Sequence, residues 1–396
     1  MVLTFLIYRI ANQKLSDIGF SEYNIFRRTN SLILPLLMIG LGVAVPRFVS
    51  MDSKRNTFFL TGIIWISISS IIILLTILIG IDFFSFFFYG DIDYKVHIIL
   101  IGFLVMTFGF HSIIYGFLRG KHKLYFSNII QVINIGFIPF FVFFITEKVV
   151  EIIFLNFILM FSSCIIVSII ILFKFKIKFV KNDFINDSKI LLKFGLPRVI
   201  GDFALLALLS LPTYIILNLN KNLIFAGDIA YGITLLNLFG AFFSPLSIVL
   251  LPEISKFLIN KDFNIIKKRF RTFFIVSLLI TLILYLIFFF FTDFILTFLL
   301  GDNYNISIIK FSQIILSASF GYVLYIILRS FLDAIYFKAN NSINLLIILM
   351  IYLTLVFIGK NFKFTIDYYL YSYVISLSLL GLITLYQTNI AIKKLK

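Results

Sequence analysis

Five of the 34 lysines and arginines in this chain, Arg9, Arg27, Arg28, Arg198 and Lys310, fall in or beside long apolar stretches. A charge at such depth is costly and faces a protein interior or a watery cavity rather than lipid. One acid, Asp202, sits as deep, four residues after Arg198 and therefore on the same face of a helix. That leaves the bases in excess, and positive charges gathered in an apolar interior repel one another. The chemistry they could do is to hold an anion, which an arginine grips with two parallel hydrogen bonds. Each position has a second reading. Arg9 and Lys310 lie near span ends, from which a long side chain reaches the interface. Arg198 and Asp202 could be a structural pair. Arg27 and Arg28 point about 100° apart on a helix, so one can face a cavity while the other reaches the headgroups. His111, mid-stretch, is either a proton relay or a hydrogen-bonded packing residue. Gln131 and Asn134 read as hydrogen bonds between helices.

Other chemistry is not written in the sequence. There is no phosphate-cradling glycine loop, no metal-ligand spacing and no soluble domain, so no catalytic residue, cofactor or resident metal is expected. The single cysteine, Cys164, lies in an apolar run and rules out a disulfide framework or a cysteine metal cluster. The three histidines, His97, His111 and His122, are scattered.

The elements that must position these residues follow from composition. The chain is 61% hydrophobic and 13% charged, more apolar surface than a soluble protein of 396 residues can hide. Apolar runs near the ~20 residues that cross a bilayer predict spans at 2–11, 24–48, 57–81, 96–118, 125–146, 150–173, 194–217, 228–252, 270–292, 304–328, 339–359 and 366–388. The first is too short to cross. It has no basic n-region or small-residue cleavage site and contains Arg9, so it reads as the end of a truncated first helix rather than a signal peptide.

Lysine and arginine alternate from loop to loop. The even-numbered loops and the C-terminus carry 23, among them Lys54, Lys181, Lys261, Lys338 and Lys396. The odd-numbered loops carry six, Lys14, Lys95, Lys148, Lys221, Lys360 and Lys363. Such a bias places the even loops and both termini in the cytoplasm. The net charge of +16 is thereby read as membrane topology rather than nucleic-acid binding.

The longest polar interval includes 174–193, which carries Lys174, Lys176, Lys178, Lys181, Lys189 and Lys193 and reads as a cytoplasmic linker between lobes 1–173 and 194–396. A repeat supports two halves. Tyr23, Pro35 and Pro46 recur as Tyr231, Pro245 and Pro252, Tyr115 and Arg119 as Tyr325 and Arg329, and Tyr125-Phe126 as Tyr336-Phe337, at offsets of 206 to 211. Six spans per half make the repeat parallel, with a substrate path expected between the halves. All seven prolines fall in predicted spans, and their paired placement in spans two and eight predicts a shared bend. The expected fold is thus an all-α polytopic membrane protein of about twelve helices in two parallel six-helix halves.

Three segments resemble a known family. Arg9 to Ser50, with its Ile39-Gly40-Leu41-Gly42 and Pro46-Arg47-Phe48, is similar to the opening of polysaccharide flippases of the multidrug/oligosaccharidyl-lipid/polysaccharide (MOP) superfamily. So are Leu118-Arg119-Gly120 with Tyr125-Phe126-Ser127-Asn128, and Leu191 to Pro197. The resemblance implies a transporter, not an enzyme, that moves undecaprenyl-diphosphate-linked O-antigen or capsule repeat units across the bacterial inner membrane, in contact with membrane lipids and with H⁺ or Na⁺ as a possible coupling ion. The anion for Arg27, Arg28, Arg198, Lys310 and Arg9 would then be the lipid diphosphate, with Asp202 and His111 in structural or coupling roles. Many relatives carry an Asp near the end of the seventh span, where this chain has Leu211-Pro212-Thr213-Tyr214. Its role is not carried over. A cation-coupled drug exporter on the same fold is the alternative, disfavoured by the excess of bases. A membrane polysaccharide polymerase is the third reading, disfavoured by short outer loops.

The topology is tested by single cysteines in a chain with Cys164 replaced. Positions 54, 181 and 261 should label only after the membrane is opened, and positions 95 and 221 from outside. Labelling of position 181 in intact cells would overturn the orientation.

Overall fold

In apolar surroundings each backbone N–H and C=O must find a partner within its own segment, and helices meet that demand. The computed structural model describes residues 2–52, 55–336 and 340–395, and is all helix apart from short connections. Lys54, Phe337, Lys338 and Lys396, named above, lie outside the described residues.

The helices are α1 (Val2–Lys14), α2 (Asp17–Met38), α3 (Leu41–Met51), α4 (Thr57–Ile79), α5 (Ile81–Tyr89), α6 (Lys95–Gly120), α7 (Leu124–Gln131), α8 (Ile138–Val142), α9 (Val149–Lys174), α10 (Lys181–Leu208), α11 (Leu211–Asn220), α12 (Leu223–Ile259), α13 (Phe263–Phe290), α14 (Thr292–Leu300), α15 (Ser307–Leu316), α16 (Ser319–Ile335), α17 (Asn340–Asn361) and α18 (Ile366–Lys393). A π-helical turn, Val132–Phe137, joins α7 to α8. Among the described residues, eight spans are long and apolar enough to cross a membrane. Three bent pairs, α2–α3, α10–α11 and α15–α16, raise the number to eleven if each is one span. The remaining expected interval is α1, of 13 residues.

The chain packs as two compact units, Met1–Phe203 with Leu299–Asn303, and Ala204–Phe298 with Tyr304–Lys396. In the first, α2, α3, α4 and α9 pack on α6. In the second, α12, α13, α17 and α18 pack on α16. These central helices carry the repeated Tyr-x-x-x-Arg, and it makes the same contact in both. Arg119 lies 5.4 Å from the Tyr115 ring and Arg329 lies 5.8 Å from the Tyr325 ring.

The proline expectation is only half met. Span two bends by 50° between α2 and α3, whereas α12 runs without a break through Pro245 and Pro252. The break lies not at a proline but at Ile39 and Gly40, with φ of 43° and 77°. That left-handed pair ends the helix, and Gly40 is required there for a second reason. A Cβ on it would fall 2.2 Å from the Gly195 carbonyl oxygen. At the offset of 210, Gly40 is replaced by Leu250, which continues the helix.

Side-chain contacts respect the expected alternation of loops. In the first unit Asn56 Nδ2 donates to Phe175 O at 3.3 Å and Lys121 Nζ donates to Asn56 Oδ1, joining loops two, four and six. At the other end Lys14 pairs with Glu147 at 3.4 Å, joining loops one and five. The interval 174–193 is helical from Lys181 onward, and one turn of it is tied to α4 and to the loop before it. Asp187, wholly buried, takes an ion pair from Arg55 at 2.6 Å and a hydrogen bond from Thr57 Oγ1 at 2.6 Å. Trp65 Nε1 donates to the neighbouring Ser188 Oγ at 2.9 Å.

Arg55→Met leaves the Asp187 carboxylate buried without its cation and is expected to cost about 3 kcal/mol. Adding Asp187→Leu should recover most of the loss. Thermal unfolding of the purified protein in detergent measures both. A double variant as unstable as the single one would mean that the segment is held by other contacts.

Candidate functional site

A polar cluster of the first unit is built on α2. Ser16 caps this helix, its Oγ accepting from Gly19 N at 3.2 Å, and Asp17 follows in the first turn, where a negative charge suits the helix dipole. Tyr23 comes a turn later, fully buried, and Arg27 one turn after that. Arg27 NH1 donates to Tyr23 Oη at 3.3 Å, and its guanidinium carbon lies 4.8 Å from the Tyr8 ring centre and 5.9 Å from that of Tyr23. The electron-rich ring faces attract the cation. Among the described residues no carboxylate is within ion-pair reach of Arg27.

Arg27 opens onto a cavity of about 270 Å³. Its wall is drawn from α2 (Tyr23, Phe26, Arg27, Asn30, Ser31, Leu34), α6 (Leu104, Phe108, His111, Ser112), the π-helical turn (Ile135), α8 (Pro139) and α9 (Asn156, Met160). Among the described residues it holds one formal charge, that of Arg27, beside a histidine, and no acid. His111 is fixed from behind. Asn134, fully buried in the π-helical turn, places its Nδ2 3.1 Å from His111 Nδ1 and 3.7 Å from Cys164 Sγ. A π-helical turn adds a residue to one turn of helix and shifts the faces beyond it, and such turns concentrate at functional positions.

The second unit has the same central helix but a different filling. At the offset of 210 that matches Tyr115 to Tyr325, His111 is replaced by Gly321. A Cβ on Gly321 would stand 2.3 Å from the Leu377 carbonyl oxygen of α18, and one on Gly381 would stand 2.5 Å from Gly321 O. Two glycines let α16 and α18 meet backbone to backbone.

The expected site residues therefore separate. Arg27 and His111 share the cavity. Arg28, the next residue on α2, is buried at 6% exposure and is not on the wall. Arg9 is half-buried on α1, also off the wall. Lys310 is exposed and paired with Asp367 at 2.8 Å, near the starts of α15 and α18. Arg198 is exposed on α10. Its NH1 donates to Phe194 O at 2.7 Å, and its guanidinium lies 3.7 Å from the Phe194 ring centre. Asp202 follows one turn later and is exposed. Sequence reading missed Arg47, counted there as a loop charge, which lies 4.5 Å from that same Phe194 ring. It also missed Asn30, Ser31, Ser112 and Asn156. Their signal was faint. Each is a small polar residue in an apolar helix, and only Asn30 and Ser31 lie within a turn of Arg27.

No family model matches the chain, and no curated protein matches it in sequence. Solved structures do. An inward-facing multidrug resistance MATE-family transporter of the MOP superfamily superposes with a TM-score of 0.75 at 14% identity, over 99% of this chain and 95% of that one. A MOP superfamily transporter from Pyrococcus furiosus, described as having a binding pocket of reverse polarity that suggests a different function, gives 0.71 at 11%, over 100% and 93%. The lipid II flippase MurJ, in an inward closed conformation, gives 0.71 at 15%, over 99% and 87%. At such identities the likeness establishes the fold, which is that of the MOP superfamily transporters.

Proposed function

We propose that this protein is a flippase for lipid-linked oligosaccharides, carrying undecaprenyl-diphosphate-linked repeat units from the cytoplasmic to the outer leaflet of a bacterial inner membrane, with both termini cytoplasmic. The observation that carries the reading is the polarity of the first-unit cavity, whose wall, among the described residues, holds Arg27 and no carboxylate. A transporter of organic cations would place an acid there, so the drug-exporter alternative lacks its central group. An arginine held by neutral rings keeps its full charge for an incoming anion, and a phosphate offers it a bidentate partner. The second cationic contact is Arg198, beside Arg47 on Phe194, and Lys310 guides the headgroup at the outer end. Arg28, next to Arg27 on α2, and Arg9 on α1 are the remaining candidates for contact with the anion. Asp202 steadies Arg198, and His111 with a coupling H⁺ or Na⁺ is the place to look for energy input.

Movement follows from the parallel repeat. Lobes 1–173 and 194–396, joined by 174–193, rock between inward-open and outward-open states while the lipid tail stays in the bilayer. The fold shared with MurJ and with the MATE transporters is compatible with such a cycle.

In a strain lacking its own polysaccharide flippase, Arg27→Gln and Arg198→Gln are expected to lower surface polysaccharide at least about tenfold, at unchanged protein level in the membrane. Arg27→Lys should restore little, because a lysine cannot make the forked contact. Full export by both glutamine variants would place the headgroup path elsewhere.

A further inference from the structure

Beside Arg27, the cavity wall carries several hydrogen-bond acceptors. Asn156 gives one of its two amide N–H groups to the Ile152 carbonyl at 2.8 Å, which orients the amide and leaves its Oδ1 as an acceptor. That oxygen has no partner among the described residues, at 4% exposure. Asn30 Oδ1 is likewise unpartnered, at 8%. Ser31 Oγ donates its proton to Arg27 O at 3.0 Å and Ser112 Oγ donates to Phe108 O at 2.8 Å, so both hydroxyls face the cavity with lone pairs only. Buried acceptors left without donors carry a desolvation cost that a ligand can relieve. A diphosphate cannot relieve it, since an ionised phosphate has no N–H or O–H to give. The occupant must bring several donors together with one anionic or acceptor group for Arg27.

We infer that this cavity is a sugar pocket. It seats one glycosyl unit, whose hydroxyls donate to Asn30 and Asn156 while an acidic group on or next to the ring meets Arg27. The inference rests on the flippase reading and narrows it. The volume, about 270 Å³, suits one ring and not a chain of them, being below the ~300–1,000 Å³ of sites that bury a drug-sized ligand. Tyr23, Phe26 and Phe108 in the wall supply apolar surface for the ring's C–H faces. Two sources fit the acidic group, the phosphate joined to the sugar and the carboxylate of an acidic sugar.

The experiment measures binding to the full-length protein in nanodiscs with three lipids: a polyprenyl diphosphate, the same lipid carrying one neutral hexose, and the same lipid carrying one hexuronic acid. The parent should favour the hexose lipid over the bare diphosphate by about tenfold, the effect of two hydroxyl-to-amide hydrogen bonds. Asn30→Leu and Asn156→Leu should each remove about threefold of that preference and together abolish it, while melting no lower than the parent, because each removes an unsatisfied buried oxygen. Asn30→Ala and Asn156→Ala serve where the leucine does not fit. With Arg27→Gln, equal weakening of all three lipids assigns the acidic group to phosphate, and weakening of the hexuronate lipid alone assigns it to the sugar. Parent affinities within twofold for the bare and hexose lipids, or leucine variants that keep the preference, overturn the sugar pocket and leave the flippase reading standing. A parent that binds none of the three lipids overturns both.

Discussion

A backbone in apolar surroundings cannot leave a polar group unpaired, and the rest of this structure follows from that constraint. It makes every long element a helix, and it makes each interruption costly enough to need a local remedy. Where α2 ends, two left-handed residues turn the chain, and Gly40 is seated against the backbone of Gly195 with no room for a side chain. Where α7 meets α8 the helix is not broken but widened by one residue into a π-helical turn. The first remedy sets the entry of α3 into the packing around α6. The second brings Asn134 to His111 and Ile135 to the cavity wall. The cavity thus sits beside an irregularity that the constraint tolerates only because Asn134 and its neighbours enclose it.

The two units show how one pattern yields two interiors. Both centre on a helix with Tyr-x-x-x-Arg, and both fold the arginine over the tyrosine. Four residues earlier they diverge, with His111 in one and Gly321 in the other. A side chain holds helices apart and leaves space lined with whatever faces it. A glycine lets helices close and removes that space. The first unit keeps a polar cavity beside His111, and in the second Gly321 and Gly381 bring α16 and α18 backbone to backbone.

Much of the fold could be read from the chain because span length and loop charge are linear signals. Arg55 with Asp187, and Lys14 with Glu147, join intervals of the same parity, as the alternation of spans requires. Arg27 stood out as a base in an apolar helix, and the structure puts it on a cavity. Other features depend on three-dimensional proximity that spacing does not encode. Asn30 and Asn156 are 126 positions apart and line one cavity because α2 and α9 pack on each other and on α6. Arg47 passed for a loop charge because its partner, Phe194, lies on a distant helix. Prolines were read as the source of the bend in span two, but a helix that is merely bent keeps its direction, and the sharper turn needed the left-handed pair at Ile39 and Gly40.

The chain's single tryptophan gives the start of α10 an optical property. Trp65 is hydrogen-bonded to Ser188, next to the buried Asp187, so the indole and the ion pair occupy the same contact. Indole emission depends on what its N–H binds and on how wet its surroundings are. The unmodified protein therefore carries a fluorophore at the point where this helix is fastened to α4, and its emission reports whether that joint is closed or open, with no label attached.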